Sequence, residues 1–145
     1  MDFLTSFRVS ASGLAANRKR MDVISSNIAN AHSTRTPEGG PYRKKEVVFG
    51  AEPAHGSFSD MLEGKLDENV QEVNAISVES STKPPILKYE PGHPDANKDG
   101  YVAYPDINIM EEMTNMIAAS RGYEANITAL NTAKSMALKA LEIGR

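Results

Sequence analysis

The chain has 145 residues, a formal net charge of −3, 40% hydrophobic and 6% aromatic residues, and neither Trp nor Cys. That length supports one domain, or a small domain with helical extensions, and the missing cysteines exclude disulfides, thiolate catalysis and most structural zinc sites. The charge is uneven: residues 1–45 hold eight Lys/Arg against three Asp/Glu, residues 46–107 hold four against twelve, and residues 108–145 balance at four each.

The first segment, residues 1–31, carries a heptad run. Leu4, Phe7, Ala11, Leu14, Arg18, Met21, Ser25 and Ile28 recur at alternating three- and four-residue steps, with Val9, Ala16 and Val23 as a neighbouring stripe. The spacing predicts an amphipathic helix of about 40 Å, weakened by about 1 kcal/mol at Gly13. Arg18 and Ser25 would interrupt the seam, either setting register or, for Arg18, snorkelling out of it. Arg18, Lys19 and Arg20 form a basic turn without interleaved aromatics, so no nucleic-acid partner is expected. The N-terminus does not read as a secretory signal, because Arg8 breaks the apolar run and the basic cluster follows that run. No stretch approaches the ~20 apolar residues of a membrane span, so a soluble chain is expected.

Residues 32–107 form a middle segment that is far too long for a helix–helix turn. HSTRTPEGGP at 32–41 is a break. Strands are predicted at 42–49, 70–80, 86–89 and 101–104 from short β-branched and aromatic runs between turn residues. Phe58, Met61 and Leu62 have the spacing of a single helical turn. Asp95, Asn97, Asp99 and Gly100 match the first half of an EF-hand loop, with Asp106 where a bidentate glutamate is expected. The prolines at 91 and 94 exclude the entering helix. The favoured reading is therefore a tight turn with Gly100 at positive φ, and the four carboxylate and amide residues remain the candidate calcium ligands.

Residues 108–145 carry the longest periodic run. Ile109, Met113, Met116, Ser120, Tyr123, Ile127, Leu130, Lys134, Ala137 and Leu141 keep one register, flanked by Met110, Ile117 and Leu138. A single helix of about 50 Å is predicted, started by Asn108 with Glu111 as a capping pair and ended near Gly144. Glu111 and Glu112 suit the positive end of its dipole. Met110, Met113, Met116 and Met136 fit an adaptable groove or, more simply, the seam. The fold class expected is mainly α with a small β-rich insertion, an antiparallel coiled coil of the two terminal helices joined by short strands and loops.

No catalytic constellation emerges. His32, His55 and His93 are scattered through loops, there is no nucleophile elbow, and Gly39-Gly40 stands alone where a phosphate loop would need more glycine. The chain is not expected to be an enzyme or to hold a cofactor, metal or small-molecule substrate.

Two terminal motifs carry a resemblance. SSNIANA at 25–31 (Asn27, Ile28, Ala29 and Asn30) resembles the N-terminal signature of bacterial flagellar rod and hook proteins. RGYEAN at 121–126 (Arg121, Tyr123, Ala125 and Asn126) resembles their C-terminal signature. Within that family, PEGGPYRKK at 37–45, VVF at 47–49, YEPG at 89–92, DGYV at 99–102 and KSMALK at 134–139 are similar to the proximal-rod members. The resemblance implies pairing of the terminal helices and polymerisation around a central channel, with the chain itself, other rod proteins, the membrane ring and the export-gate region as partners. It also implies a place in the periplasmic rod of the basal body, reached through the flagellar type III apparatus without a cleaved signal. The helix-seam residues would then serve assembly.

Overall fold

The computed structural model describes residues 3–53 and 71–143. Helix α1 (Phe3–Ala29) leads into a loop and strand β1 (Lys45–Pro53). Strands β2 (Gln71–Ser80), β3 (Ile86–Tyr89) and β4 (Tyr101–Tyr104) follow, and helix α2 (Ile109–Ile143) ends the chain. The mainly helical class with a small strand insertion is therefore as expected. The helical turn expected around Phe58, Met61 and Leu62 lies outside the described residues, as does the stop near Gly144.

The start of α2 is capped as its sequence suggests. Asn108 Oδ1 accepts from the amides of Met110 (3.1 Å) and Glu111 (3.4 Å), satisfying donors that the first helical turn leaves unpaired.

The two helices run antiparallel in one register. Asn27 faces Glu112, Asn17 faces Gly122, and Gly13 faces Asn126. Ten residues separate the first and second of these pairs on both helices, and four more separate the third, so the register never slips. The last two pairs are reciprocal: each glycine lies under the side chain of an asparagine on the opposite helix. A Cβ on Gly13 would stand 2.9 Å from Asn126 Nδ2, and one on Gly122 would stand 3.1 Å from Asn17 Oδ1. Small residues let the helices approach closely here, and the amides fill the space.

The buried line of each helix differs from the expected one. On α2 it runs through Glu112, Ala119 and Ala133, with Met116, Tyr123, Asn126, Leu130 and Ala137 half-buried beside it, whereas Met113, Ile127 and Leu141 are exposed. On α1 the neighbouring stripe turns inward. Ala16, Val23 and Ile24 are buried, Leu14, Met21 and Ile28 are half-buried, and Phe7, Ala11, Arg18 and Ser25 face outward. Leu4's side chain lies outside the described set. The most buried line of α2 is made of small and polar residues, so Met113, Ile127 and Leu141 of the expected stripe lie on the outside.

Strands β1 and β2 form an antiparallel hairpin pairing Lys45 with Ser80 and Val47 with Val78, with a bulge between Val48 and Phe49. Gly50 leaves room for the Ile76 side chain to cross it. The hairpin lies along α1. Its Lys45 end is held by Asn27. At the other end, Glu72 pairs with Arg8 at 2.8 Å and the Val73 amide donates to Ser12 Oγ at 3.2 Å. The distance along α1 from Asn27 to Ser12, about 22 Å, matches the roughly 23 Å spanned from Val73 to Ser80, the partner of Lys45. Strand β1 begins at Lys45, later than position 42, because Tyr42 and Lys44 are turned toward the helices.

Strands β3 and β4 form a second antiparallel hairpin, from Ile86 opposite Tyr104 to Tyr89 opposite Tyr101. In its loop, Asn97 Oδ1 accepts from the amides of Asp99 (3.0 Å) and Tyr101 (2.9 Å), and Gly100 adopts φ +82°. The Asp95 carboxylate accepts from Thr34 Oγ1 at 2.8 Å, tying the loop to the segment after α1.

Candidate functional site: a buried polar junction and an apolar outer flank

Three segments distant in sequence meet at Asn27, which is 1% exposed. Its Nδ2 donates to the Lys45 carbonyl (2.8 Å) and to Glu112 Oε2 (2.9 Å). Its Oδ1 accepts from the Lys45 amide (2.9 Å) and from the Tyr42 hydroxyl (3.1 Å). Both donors and both acceptors of the amide are thereby used. Tyr42, itself buried, also shares a hydrogen bond with Ser26 Oγ at 3.1 Å.

Glu112 is 2% exposed, and its second oxygen meets Lys44 Nζ at 3.1 Å. Glu46 (3.6 Å) and Glu111 (3.8 Å) stand farther out around the same ammonium. A carboxylate so deep in the protein requires a countercharge and hydrogen bonds, and Lys44 and Asn27 supply them. Partial burial disfavours the Lys44 charge. The hydrogen bond and charge of Glu112, followed by the charges of Glu111 and Glu46, outweigh it and hold the ammonium above the ordinary lysine value. Beside the junction opens a groove of about 330 Å³, bordered by Arg20, Val23, Ile24, Val47, Phe49 and Asn115.

Hydropathy reading did not find this junction. By sequence Glu112 reads only as a helix-dipole residue and Lys44 as a residue of the strand expected at 42–49. A signal was present in the buried-register spacing: Glu112, Ala119, Asn126 and Ala133 recur every seven residues, a heptad of small and polar side chains.

The motif residues divide between buried and outer positions. Asn27 makes the junction, Ile28 and Asn30 are half-buried and Ala29 is exposed. Asn30 Oδ1 accepts from Ser33 Oγ at 3.1 Å, which helps end α1. On α2, Tyr123 and Asn126 face the helix pair, while Arg121 and Ala125 face out. The candidate calcium ligands are not brought together for a cation: Asn97's side-chain oxygen is committed to backbone amides and Asp95's Oδ2 to Thr34. Among the described residues, no three His, Asp or Glu side chains cluster as a metal site, and no helix is long and apolar enough to cross a membrane.

Outside the pair, α2 shows Met110 (72% exposed), Met113 (49%), Ile117, Ile127, Met136, Leu138 and Leu141 (72%) to solvent. The β1–β2 hairpin adds Phe49, Val73, Ile76 and Val78. These exposed apolar side chains are the candidate interaction surface.

Known proteins share this architecture's sequence along its whole length. Residues 7–35 match the family described as "Flagella basal body rod protein" and residues 98–143 the family described as "Flagellar basal body rod FlgEFG protein C-terminal". The flagellar basal-body rod protein FlgC of Borreliella burgdorferi is 44% identical, covering 99% of this chain and 98% of its own. That of Salmonella typhimurium is 43% identical over the full length of both, and that of Bacillus subtilis 42% over 97% of both. The matched regions contain both helices, with Asn27 and Glu112 at their junction, and on this identity the chain belongs to the FlgC family of flagellar basal-body rod proteins.

Proposed function

We propose that the chain is a structural subunit of the proximal rod of the bacterial flagellar basal body, joined to its neighbours through the outer flanks of its helix pair. The observation that carries the mode of assembly is the division of residues across α1 and α2. Along α2 the pair closes mainly on small and polar side chains and leaves Met110, Met113, Ile117, Ile127 and Leu138 outside, where a lone subunit must expose them and a tube of subunits covers them. Copies of the same chain and other rod proteins are the neighbours, with the membrane ring and export-gate region beyond.

In this reading the terminal helices line the part of the drive shaft that surrounds the export channel, with the β1–β2 pair lying along α1. The subunit reaches the periplasmic rod through the flagellar type III apparatus. The helix pair is marginal in an isolated subunit, since its seam buries few large apolar groups, and gains full order on assembly.

The test is complementation of a strain lacking the chromosomal copy. Ile127→Asp places a charge on the flank that assembly buries, with no partner for it, and should give non-motile cells whose basal bodies lack the subunit. Leu14→Asp should do the same, while Ile127→Leu should restore motility. Normal rods containing the Ile127→Asp protein would refute assembly through this flank.

A further inference from the structure

The four methionines of α2 do not share one environment. Met116 is half-buried at the helix seam, whereas Met110, Met113 and Met136 are exposed at 72%, 49% and 61%. Met110 and Met113 stand three residues apart, with Ile117 four further on, so all three occupy one face of the helix. In a chain without cysteine, the thioethers are the side chains open to mild, reversible oxidation.

We infer that Met110 and Met113 form an oxidation-sensitive patch on the unassembled subunit, modified by hydroperoxides to methionine sulfoxide, and that this modification blocks incorporation into the rod. The chemistry is a two-electron oxygen transfer. The sulfur lone pair attacks one oxygen of hydrogen peroxide, an S–O bond forms as the O–O bond breaks, and the other oxygen leaves as water after proton transfer. The sulfur is oxidised and the peroxide reduced. The product is polar and chiral where the thioether was apolar and flexible. Burying a sulfoxide against a neighbour that offers it no hydrogen bond is unfavourable. The free subunit, with both methionines exposed, is the vulnerable species, and an assembled one is shielded. The inference rests on the outer flank of α2 being covered in the rod.

Two measurements test it. Purified subunit is exposed to hydrogen peroxide, quenched at intervals and mapped by peptide mass spectrometry. Met110 and Met113 should oxidise several-fold faster than Met116 and Met21, and equal rates would overturn the patch. In cells lacking the chromosomal copy, Met110→Leu/Met113→Leu should support swarming. Met110→Gln/Met113→Gln, a polar stand-in for the sulfoxide, should lose it and be absent from purified basal bodies while keeping the wild-type circular dichroism spectrum. Incorporation of the glutamine variant at the wild-type level would sink the inference and leave the rod assignment intact. Absence of the wild-type protein itself from basal bodies would instead remove the functional reading on which the inference stands.

Discussion

Asn27 and Glu112, 85 positions apart, share a 2.9 Å hydrogen bond between two side chains that are almost wholly buried. Asn27 also brackets Lys45, accepting from its amide and donating to its carbonyl. One amide therefore fixes the end of α1, the start of α2 and the first residue of β1 at once. An aspartate in its place would lose both donors and set a second carboxylate against Glu112.

Asn27→Ala should accordingly be among the costliest single changes in the helix pair. It leaves the Lys45 peptide and a Glu112 oxygen without their partners in a buried site, a loss of about 3 kcal/mol. Glu112→Gln keeps one oxygen for the Asn27 amide but turns an NH2 donor toward Lys44, losing that hydrogen bond with the charge, and should cost about 1–2 kcal/mol. Lys44→Ala should cost more than Glu112→Gln, because it strands a buried carboxylate. Urea unfolding followed by far-UV circular dichroism checks the order. Asn27→Ala unfolding at the wild-type midpoint would show that the junction does not hold the helices.

The reciprocal glycines should respond unequally to alanine. Helix propensity favours alanine by about 1 kcal/mol at each. At Gly122 the new methyl meets Asn17 Oδ1 at 3.1 Å, close enough to ask for a small adjustment, so the change should be near neutral. At Gly13 it meets Asn126 Nδ2 at 2.9 Å with the whole amide behind it, and overpacking of roughly 1–3 kcal/mol should win. Adding Asn126→Ala should recover much of the Gly13→Ala loss. Thermal melts of the two single variants and the double variant test this, and no recovery in the double variant would argue against the facing pair.

Lys44 predicts an alkaline weakness. Its pKa in the folded chain lies above the ordinary 10.5, because the Glu112 pairing and the Glu111 and Glu46 charges outweigh the burial that opposes them. A raised pKa means that the contribution is fully present below the unfolded value and fades as pH rises through the folded one. Helix content should thus fall above pH 10.5 with a component that Lys44→Arg shifts to higher pH, since arginine keeps its charge. Identical alkaline profiles for wild type and Lys44→Arg would assign the loss to other groups.

Calcium should leave the melting temperature unchanged, because Asn97 already spends its side-chain oxygen on the Asp99 and Tyr101 amides. A rise of several degrees on adding calcium would restore the cation reading of the Asp95 loop.

The long-range layout was legible because helix length, strand runs and the Asn108 cap are local properties. Strands β3 and β4 fall where their turn residues place them, and β2 within a residue of its expected start. The register of the helix seam was harder to see. A search for apolar periodicity selects Met113, Ile127 and Leu141, yet in the single chain those side chains lie outside. The facing surfaces are instead made by Gly13, Ala16, Ala119, Gly122, Asn126 and Ala133. Hydropathy treats these as weak or polar, although a glycine under each asparagine side chain lets the helices pack closely. The junction was illegible for the same reason: Glu112 looks like a surface acid until Asn27 and Lys44 are placed beside it, and their positions depend on tertiary structure. On the proposed assembly, the stripe that hydropathy selects is the one that neighbouring subunits would cover.

The most direct test is to isolate membrane-extracted basal bodies and look for this chain by immunoblot and quantitative mass spectrometry. A structural rod subunit should be present in fixed ratio to the other rod proteins and remain through extraction. Intact rods without it would contradict the assignment, and would leave an antiparallel helix pair whose apolar flank serves some other assembly.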